Sequence, residues 1–193
     1  SCLQLNITLP TMRGWAASRD FILRMVKQIF IMKPKLILDV GSGITTLIAA
    51  FCIQKIGNGK VISLEHEKKF FDITRVNASL NNLNEIIELH YAPLKEYRIK
   101  DQSWYWYDNS TISSASKYDF IVIDGPPGSV QKHARYPVLP LLKMQLSDRA
   151  LILLDDGKRK EEQEIVDMWK SEFPNMDVQF FSDDEKGTYI LKI

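Results

Sequence analysis

Two cysteines in 193 residues, Cys2 and Cys52, are too few for a disulfide framework. Cys52 falls in a stretch that reads as a buried helix, where a reduced thiol with a packing role is expected. No run of about eighteen apolar residues occurs, and the N-terminus lacks a basic-then-apolar signal pattern. A water-soluble cytoplasmic chain that neither spans nor binds a membrane is expected. Net charge is almost absent as well. Lys and Arg number 25 against 24 Asp and Glu, giving +1, so no global field draws the chain to nucleic acid, and a small-molecule partner is favoured. With 45% hydrophobic and 25% charged residues, residues 1–193 are expected to bury one core and form one domain. Residues 1–13 read as irregular, with Pro10 breaking any element. The chain starts Ser1-Cys2 without Met, as a trimmed or processed product would.

The next absences concern motifs. Leu36 to Val40 is a short apolar run that reads as a strand buried on both faces, and Ile44 onward has the composition of a packed helix. Gly41 and Gly43 sit at the junction, permit a tight turn and expose bare backbone N–H groups to a ligand. A dinucleotide fingerprint would put a third glycine three positions later, where this chain has Thr46. No Gly-Lys-Ser/Thr follows, which argues against a phosphate loop. A nicotinamide oxidoreductase is thereby disfavoured.

What is present lies at strand ends. Val61 to Glu65 reads as a strand ending on an acid. In an open parallel sheet ligands lie across the carboxyl ends of the strands, so Glu65 is placed to accept hydrogen bonds from the two hydroxyls of a ribose. Tyr118 to Asp124 is a buried strand ending on an acid before a rigid Gly-Pro-Pro-Gly corner, and Ala150 to Leu154 runs into Asp155-Asp156. If these strands are neighbours, Asp124, Asp155 and Asp156 converge and offer hard oxygen donors suited to Mg²⁺, Mn²⁺ or Ca²⁺. The competing reading makes Asp156 a helix cap and leaves Asp124 facing ligand or water.

Other segments carry alternatives. Trp15 to Ser18, before a helix marked by Phe21, Met25 and Ile29, either cover the glycine turn or staple that helix to the core. Ala92 and Pro93, just past a third short strand, are either an adenine wall or a turn. Residues 100–117, with Trp104-Tyr-Trp-Tyr107, show no sustained helical or strand pattern; a lid, a substrate surface or plain packing would each use such aromatics. His133 is a candidate general base. Arg135, Lys158 and Arg159 are candidates to hold an anionic substrate group. Val178 to Phe181 and Thr188 to Ile193, joined by too short a turn for a crossover, form an antiparallel pair.

Asp39-Val-Gly-Ser-Gly43, Glu65, Ala92-Pro93-Leu94, the Ile123-Asp-Gly-Pro-Pro-Gly128 corner, Arg135-Tyr136-Pro137 and Asp155-Asp156 together resemble the class I S-adenosylmethionine-dependent methyltransferases, over about Trp15 to Ile193. The resemblance implies an α/β, Rossmann-like, doubly wound sheet of seven strands, mostly parallel, with a C-terminal antiparallel hairpin. It implies S-adenosylmethionine as cofactor, held by Trp15, Gly41, Ser42, Gly43, Thr45, Glu65, His66, Ala92 and Asp124. Asp124 and His133 are then the catalytic candidates. The family is also similar to catechol-type O-methyltransferases, which implies Mg²⁺ or another divalent cation at Asp124, Asp155 and Asp156. Two departures stand against that mechanism: prolines follow Asp124 where a lysine base is usual, and Asp156 replaces the usual Asn. A hydroxyl acceptor is the favoured reading; an N-methyltransferase and a noncatalytic S-adenosylmethionine-binding subunit are the alternatives, and a homodimer is compatible with either.

Overall fold

The apolar run Leu36–Val40, broken only by Asp39, forms the central strand β1, with Ile37, Leu38 and Val40 all fully buried. The computed structural model describes residues 17–193. Around β1 the chain forms α1 (Arg19–Met32), α2 (Ile44–Ile56), β2 (Lys60–Glu65), α3 (Lys68–Leu80), β3 (Ile87–Tyr91), β4 (Leu94–Ile99), β5 (Gln102–Tyr107), β6 (Tyr118–Ile123), α4 (Val138–Leu142), β7 (Leu146–Leu154), α5 (Lys160–Glu172), β8 (Asp177–Phe181) and β9 (Thr188–Lys192). Seven strands make one sheet in the order β3-β2-β1-β6-β7-β9-β8. The first five are parallel, while β9 runs antiparallel to both β7 and β8. This is the expected mostly parallel, doubly wound sheet with a C-terminal hairpin.

The chain runs outward from β1 to β3, then returns to lay β6 on the other side of β1. That reversal opens a crevice at the carboxyl ends of β1 and β6, the place where open α/β sheets take ligands. Successive residues of the central strands face opposite cores. Ile37, Phe120 and Val122 pack with α1 and α2, while Leu38, Ile121 and Ile123 pack with α4 and α5. Helix α2 is apolar almost all round because the sheet lies on one side of it and α1 and α3 on the other. Ser18 caps α1 by accepting from the Phe21 N–H, and the helix stops at Lys33, in the left-handed region just before Pro34. Cys52 lies buried in α2 as a free thiol, as expected. Among the described residues no helix is long and apolar enough to cross a membrane.

One segment differs from expectation. Residues 94–107 form a two-stranded antiparallel hairpin, β4–β5, pairing Tyr97 with Trp104 and Lys95 with Trp106. It supplies the crossover from β3 to β6 and buries Trp104 and Trp106 on the α4–α5 face while Tyr105 stays exposed. The aromatic run is therefore strand, and of residues 100–117 only the turn at 100–101 and the residues after Tyr107 lack strand structure. The apolar segment after Pro137 is a single five-residue helix, α4, which keeps Pro140 in its first turn, where no helical N–H is required.

Candidate active site

The glycine turn is built by close backbone approach. Gly41 adopts φ +104, and its N–H donates to the Leu64 carbonyl at 3.1 Å. A β-carbon on Gly41 would lie 3.0 Å from the Gly125 nitrogen, so the turn after β1 rests directly on the corner after β6. At Gly43 a β-carbon would meet nothing within 4 Å. That open side, next to the first N–H groups of α2, is where an acceptor or anionic group is favoured.

Thr46, which stands where a dinucleotide site has its third glycine, has a structural task. Its hydroxyl accepts from the Gly43 N–H at 3.1 Å and donates to the carboxylate of Asp39, and it lies 3.0 Å from the Ser63 hydroxyl. Thr45 also donates to Asp39, at 2.9 Å, so its buried side chain faces away from the crevice and leaves its backbone N–H as the group it can offer. Asp39 is fully buried. Burial pushes its carboxyl up to about 8 against the pull of the two threonine hydroxyls, with Asp124 and Glu65 adding to the rise. The residue pattern assigned Asp39 no role; an acid in a buried strand with threonines six and seven positions on, one helical turn into α2, was the available signal.

Glu65, at the end of β2, is 4% exposed. One carboxylate oxygen accepts from the Ser42 hydroxyl at 2.9 Å and the other from the Glu67 N–H at 2.8 Å. Ser42 in turn lies 3.0 Å from the Thr74 hydroxyl, so the turn, β2 and α3 are tied together by one polar chain. His66 follows, its ring edge-on to Tyr107 at 5.5 Å. Ala92 is fully buried, and its N–H donates to the Glu65 carbonyl at 2.7 Å. Tyr107 arrives from the hairpin. A β-carbon on Gly125 would sit 2.3 Å from the Tyr107 hydroxyl, so the phenol stands at the floor between β2 and β6, a position the sequence did not reveal. Burial, then Glu65, holds it well above the ordinary tyrosine range. Trp15, expected over the turn, lies outside the described residues.

At the next strand ends the three acids converge as expected: Asp124, Asp155 and Asp156 bring ligand atoms within 4.8 Å of one another. Asp124 is partly exposed to the crevice, with its side chain 19% accessible. Burial raises its carboxyl, and Arg135 pulls it back down. Asp155 is fully buried, and neither of its carboxylate oxygens has a hydrogen-bond partner among the described residues. Burial, then Asp124 and Asp156, pushes it up to about 7. Asp156, at φ +60, accepts from Arg135 at 2.8 Å and is ion-paired with Arg159 at 2.9 Å.

Arg135 is 3% exposed and reaches this cluster from the segment between β6 and α4. One terminal nitrogen donates to the Asp124 carbonyl and to the Asp156 carboxylate, both at 2.8 Å, and lies 3.8 Å from the Asp124 carboxylate. The other donates to the Asp155 carbonyl at 2.9 Å and lies 3.5 Å from Glu162. Burial works against its charge, but Asp124, Asp156 and Glu162 outweigh burial and keep it cationic. Two unit charges at 4 Å in an effective dielectric of about 20 interact by ~4 kcal/mol, so this one guanidinium offsets much of the repulsion among the acids.

His133 is not brought to this cluster. Its N–H donates to Glu161 at 3.0 Å and its ring nitrogen meets Glu164 at 2.5 Å, both on α5. The ring of this candidate general base therefore lies against α5. Arg135, two residues on, takes the inward position. Lys158 and Arg159 stand at the start of α5 with Asp156, Glu185 and Lys186 around a surface hollow of about 260 Å³.

No family model matches the chain, and no curated protein matches its sequence. Solved structures do. An O-methyltransferase from Bacillus cereus in complex with S-adenosylhomocysteine is 18% identical, with a TM-score of 0.68 over 96% of this chain and 84% of that one. The S-adenosylhomocysteine-bound methyltransferase PaMTH1 from Podospora anserina is 16% identical, with a TM-score of 0.68 over 92% of this chain and 79% of that one. The O-methyltransferase TomG from Streptomyces achromogenes, which is involved in tomaymycin synthesis and was solved with S-adenosylmethionine, is 11% identical, with a TM-score of 0.65 over 93% and 82%. At such identities the likeness establishes the fold, which is the Rossmann-like methyltransferase fold.

Proposed function

We propose that this chain is an S-adenosylmethionine-dependent methyltransferase that acts on a hydroxyl oxygen of a small molecule. The observation that carries the reading is the meeting, at one sheet edge, of an open glycine turn, the buried Glu65 hydrogen-bonded to Ser42, and the partly exposed Asp124. These residues suit the cofactor's parts. The bare backbone of Gly41 to Gly43 and the Thr45 N–H would take the methionine and ribose. Glu65 retains lone pairs for two ribose hydroxyls, and His66 and Ala92 would flank the adenine. The near-neutral net charge agrees with a small acceptor, and the buried free thiol of Cys52 agrees with a reducing, cytoplasmic setting.

When bound, S-adenosylmethionine supplies a methyl on a positively charged sulfur, whose C–S bond breaks as the acceptor forms its C–O bond. The protein's part is placement and proton handling. Asp124 sits at the crevice with its carboxyl raised by burial, so it is suited to take the acceptor's proton as general base. The fixed cation Arg135 holds its backbone carbonyl in place.

The test is a methyl-transfer assay over hydroxyl and amine acceptors, paired with calorimetric titration of S-adenosylhomocysteine and of NAD. Tight S-adenosylhomocysteine binding with turnover on hydroxyl acceptors is expected, together with a turnover loss of about a hundredfold in Asp124→Asn. Reaction with amines only would overturn the acceptor assignment. Binding of NAD but not S-adenosylhomocysteine would overturn the whole reading.

A further inference from the structure

We infer that Arg135 is the resident cation of the catalytic edge, so that the cluster Asp124, Asp155 and Asp156 takes no divalent ion and the acceptor needs no second hydroxyl with which to chelate one. The part that concerns the acceptor rests on the methyltransferase reading above. The part that concerns the ion rests on this chain's geometry alone.

A divalent ion bound here would need several oxygens pointing at one centre, Mg²⁺ demanding six in near-ideal octahedral array. Asp156 does not offer that. Its Oδ2 accepts from Arg135 and is ion-paired with Arg159, and the Lys186 ammonium lies 3.9 Å from its Oδ1. The Asp124 and Asp155 carbonyls also accept from Arg135. The guanidinium thus lies where it joins the ends of β6 and β7, the bridging role an ion between these acids would have.

Arg135 is also unable to step aside easily. The residue after it, Tyr136, is buried; the Tyr136 hydroxyl donates to Glu172, its N–H donates to the His133 carbonyl at 2.9 Å, and its carbonyl accepts from the Trp169 indole at 3.0 Å. The His133 contacts with Glu161 and Glu164 hold the other side. A cation anchored on both flanks and desolvated by the core is a permanent part of the edge. The Asp155 carboxylate has no hydrogen-bond partner among the described residues, so its substitution is part of the test.

Mn²⁺ is titrated into the wild-type chain, with binding read by calorimetry and by water-proton relaxation. S-adenosylhomocysteine affinity is measured in excess EDTA and in millimolar Mg²⁺. The expected result is Mn²⁺ binding no tighter than millimolar and one S-adenosylhomocysteine affinity in both buffers. Arg135→Met, which keeps the bulk and removes the charge, is expected to gain Mn²⁺ affinity by at least about tenfold, as an uncompensated buried acid cluster would. Arg135→Lys is expected to stay near wild type in Mn²⁺ binding, and Asp155→Asn to raise the melting temperature. Micromolar Mn²⁺ binding by the wild type, lost in Asp155→Asn, would overturn the inference even if Arg135→Met does not fold. Failure to bind S-adenosylhomocysteine in either buffer would instead remove the proposed function, and the Mn²⁺ titration would still decide the question of the ion.

Discussion

Ser42 donates its hydroxyl to the Glu65 carboxylate across 2.9 Å, so the loop after β1 and the acid ending β2 move as one body. The carboxylate is thereby oriented before any ligand arrives. If it grips the ribose, Glu65→Gln should weaken S-adenosylhomocysteine binding by about ten- to a hundredfold, the worth of a charge-assisted hydrogen bond. Ser42→Ala, which only loosens the carboxylate, should cost about threefold. Calorimetric titration of both variants measures this, and an unchanged affinity in Glu65→Gln would remove the acid from the binding site.

The two glycines of the turn should fail in different ways. Gly41→Ala places a methyl 3.0 Å from the Gly125 nitrogen at φ +104, so it should destabilise the fold by about 1–3 kcal/mol. In Gly43→Ala the methyl enters open space, so the strain is that of the backbone at φ +156 alone, without a clash, and a loss of ligand affinity should accompany the stability loss. Urea unfolding combined with an S-adenosylhomocysteine titration separates the two effects. Equal stability losses with equal affinities would mean that the crevice beside Gly43 is not where the ligand lies.

The strands that carry the site are legible in the sequence because burial on both faces writes them as largely apolar runs, with Asp39 and Ser63 the polar exceptions: Leu36 to Val40, Val61 to Leu64, Phe120 to Ile123 and Leu151 to Leu154. Their terminal acids stand out for the same reason, and the convergence of Asp124, Asp155 and Asp156 follows once β6 and β7 are neighbours. The hairpin is not legible. In β5 buried and exposed positions alike from Trp104 to Tyr107 are aromatic, and the turn puts Lys100 at φ +57 without the glycine or asparagine that usually announces such a turn. The opposite fates of His133 and Arg135 are equally hidden. Residues two apart in a segment of no regular structure carry no facing pattern, and the direction is set by the left-handed backbone at His133, φ +55. The place of Thr46 counts against a dinucleotide site by spacing alone, but its support of Asp39 becomes visible only when β1 and the start of α2 are side by side.

Asp39 makes a prediction about pH. Its folded carboxyl lies at about 8 and its unfolded one near 3.8, so the folded state holds the proton more tightly. The contribution of this group is fully present below about pH 4 and is lost as pH rises toward 8, by at most about 1.4 kcal/mol for each pH step of one between those limits. In Asp39→Asn there is no proton to lose. The difference in urea midpoint between wild type and Asp39→Asn should therefore change in favour of the variant as pH rises from about 4 to about 8. A difference moving the other way would show that the buried carboxylate is charged and held by the Thr45 and Thr46 hydroxyls.

The hairpin can be tested as core or as lid by comparing neighbours on one strand. Trp106 is fully buried against the α4–α5 face, whereas Tyr105 is 49% exposed, with its backbone N–H donating to Gln131 at 2.9 Å. If β5 is part of the core, Trp106→Ala should cost about 3–5 kcal/mol through lost transfer energy and the cavity left behind. Tyr105→Ala should stay within about 0.5 kcal/mol of wild type, since the Gln131 contact uses backbone and survives the truncation. The two urea curves decide it. A lid that opens independently would predict a different pair of results, with Trp106→Ala leaving global unfolding unchanged and altering only ligand dissociation, because surface that is exposed in one populated state contributes little to the folded state's stability. The T-shaped contact of Trp106 with Tyr107, at 5.6 Å, and of Tyr107 with His66 links that core to the side of the crevice proposed for the adenine. Loss of stability in Trp106→Ala should therefore be accompanied by weaker S-adenosylhomocysteine binding, while Tyr105→Ala should leave both untouched.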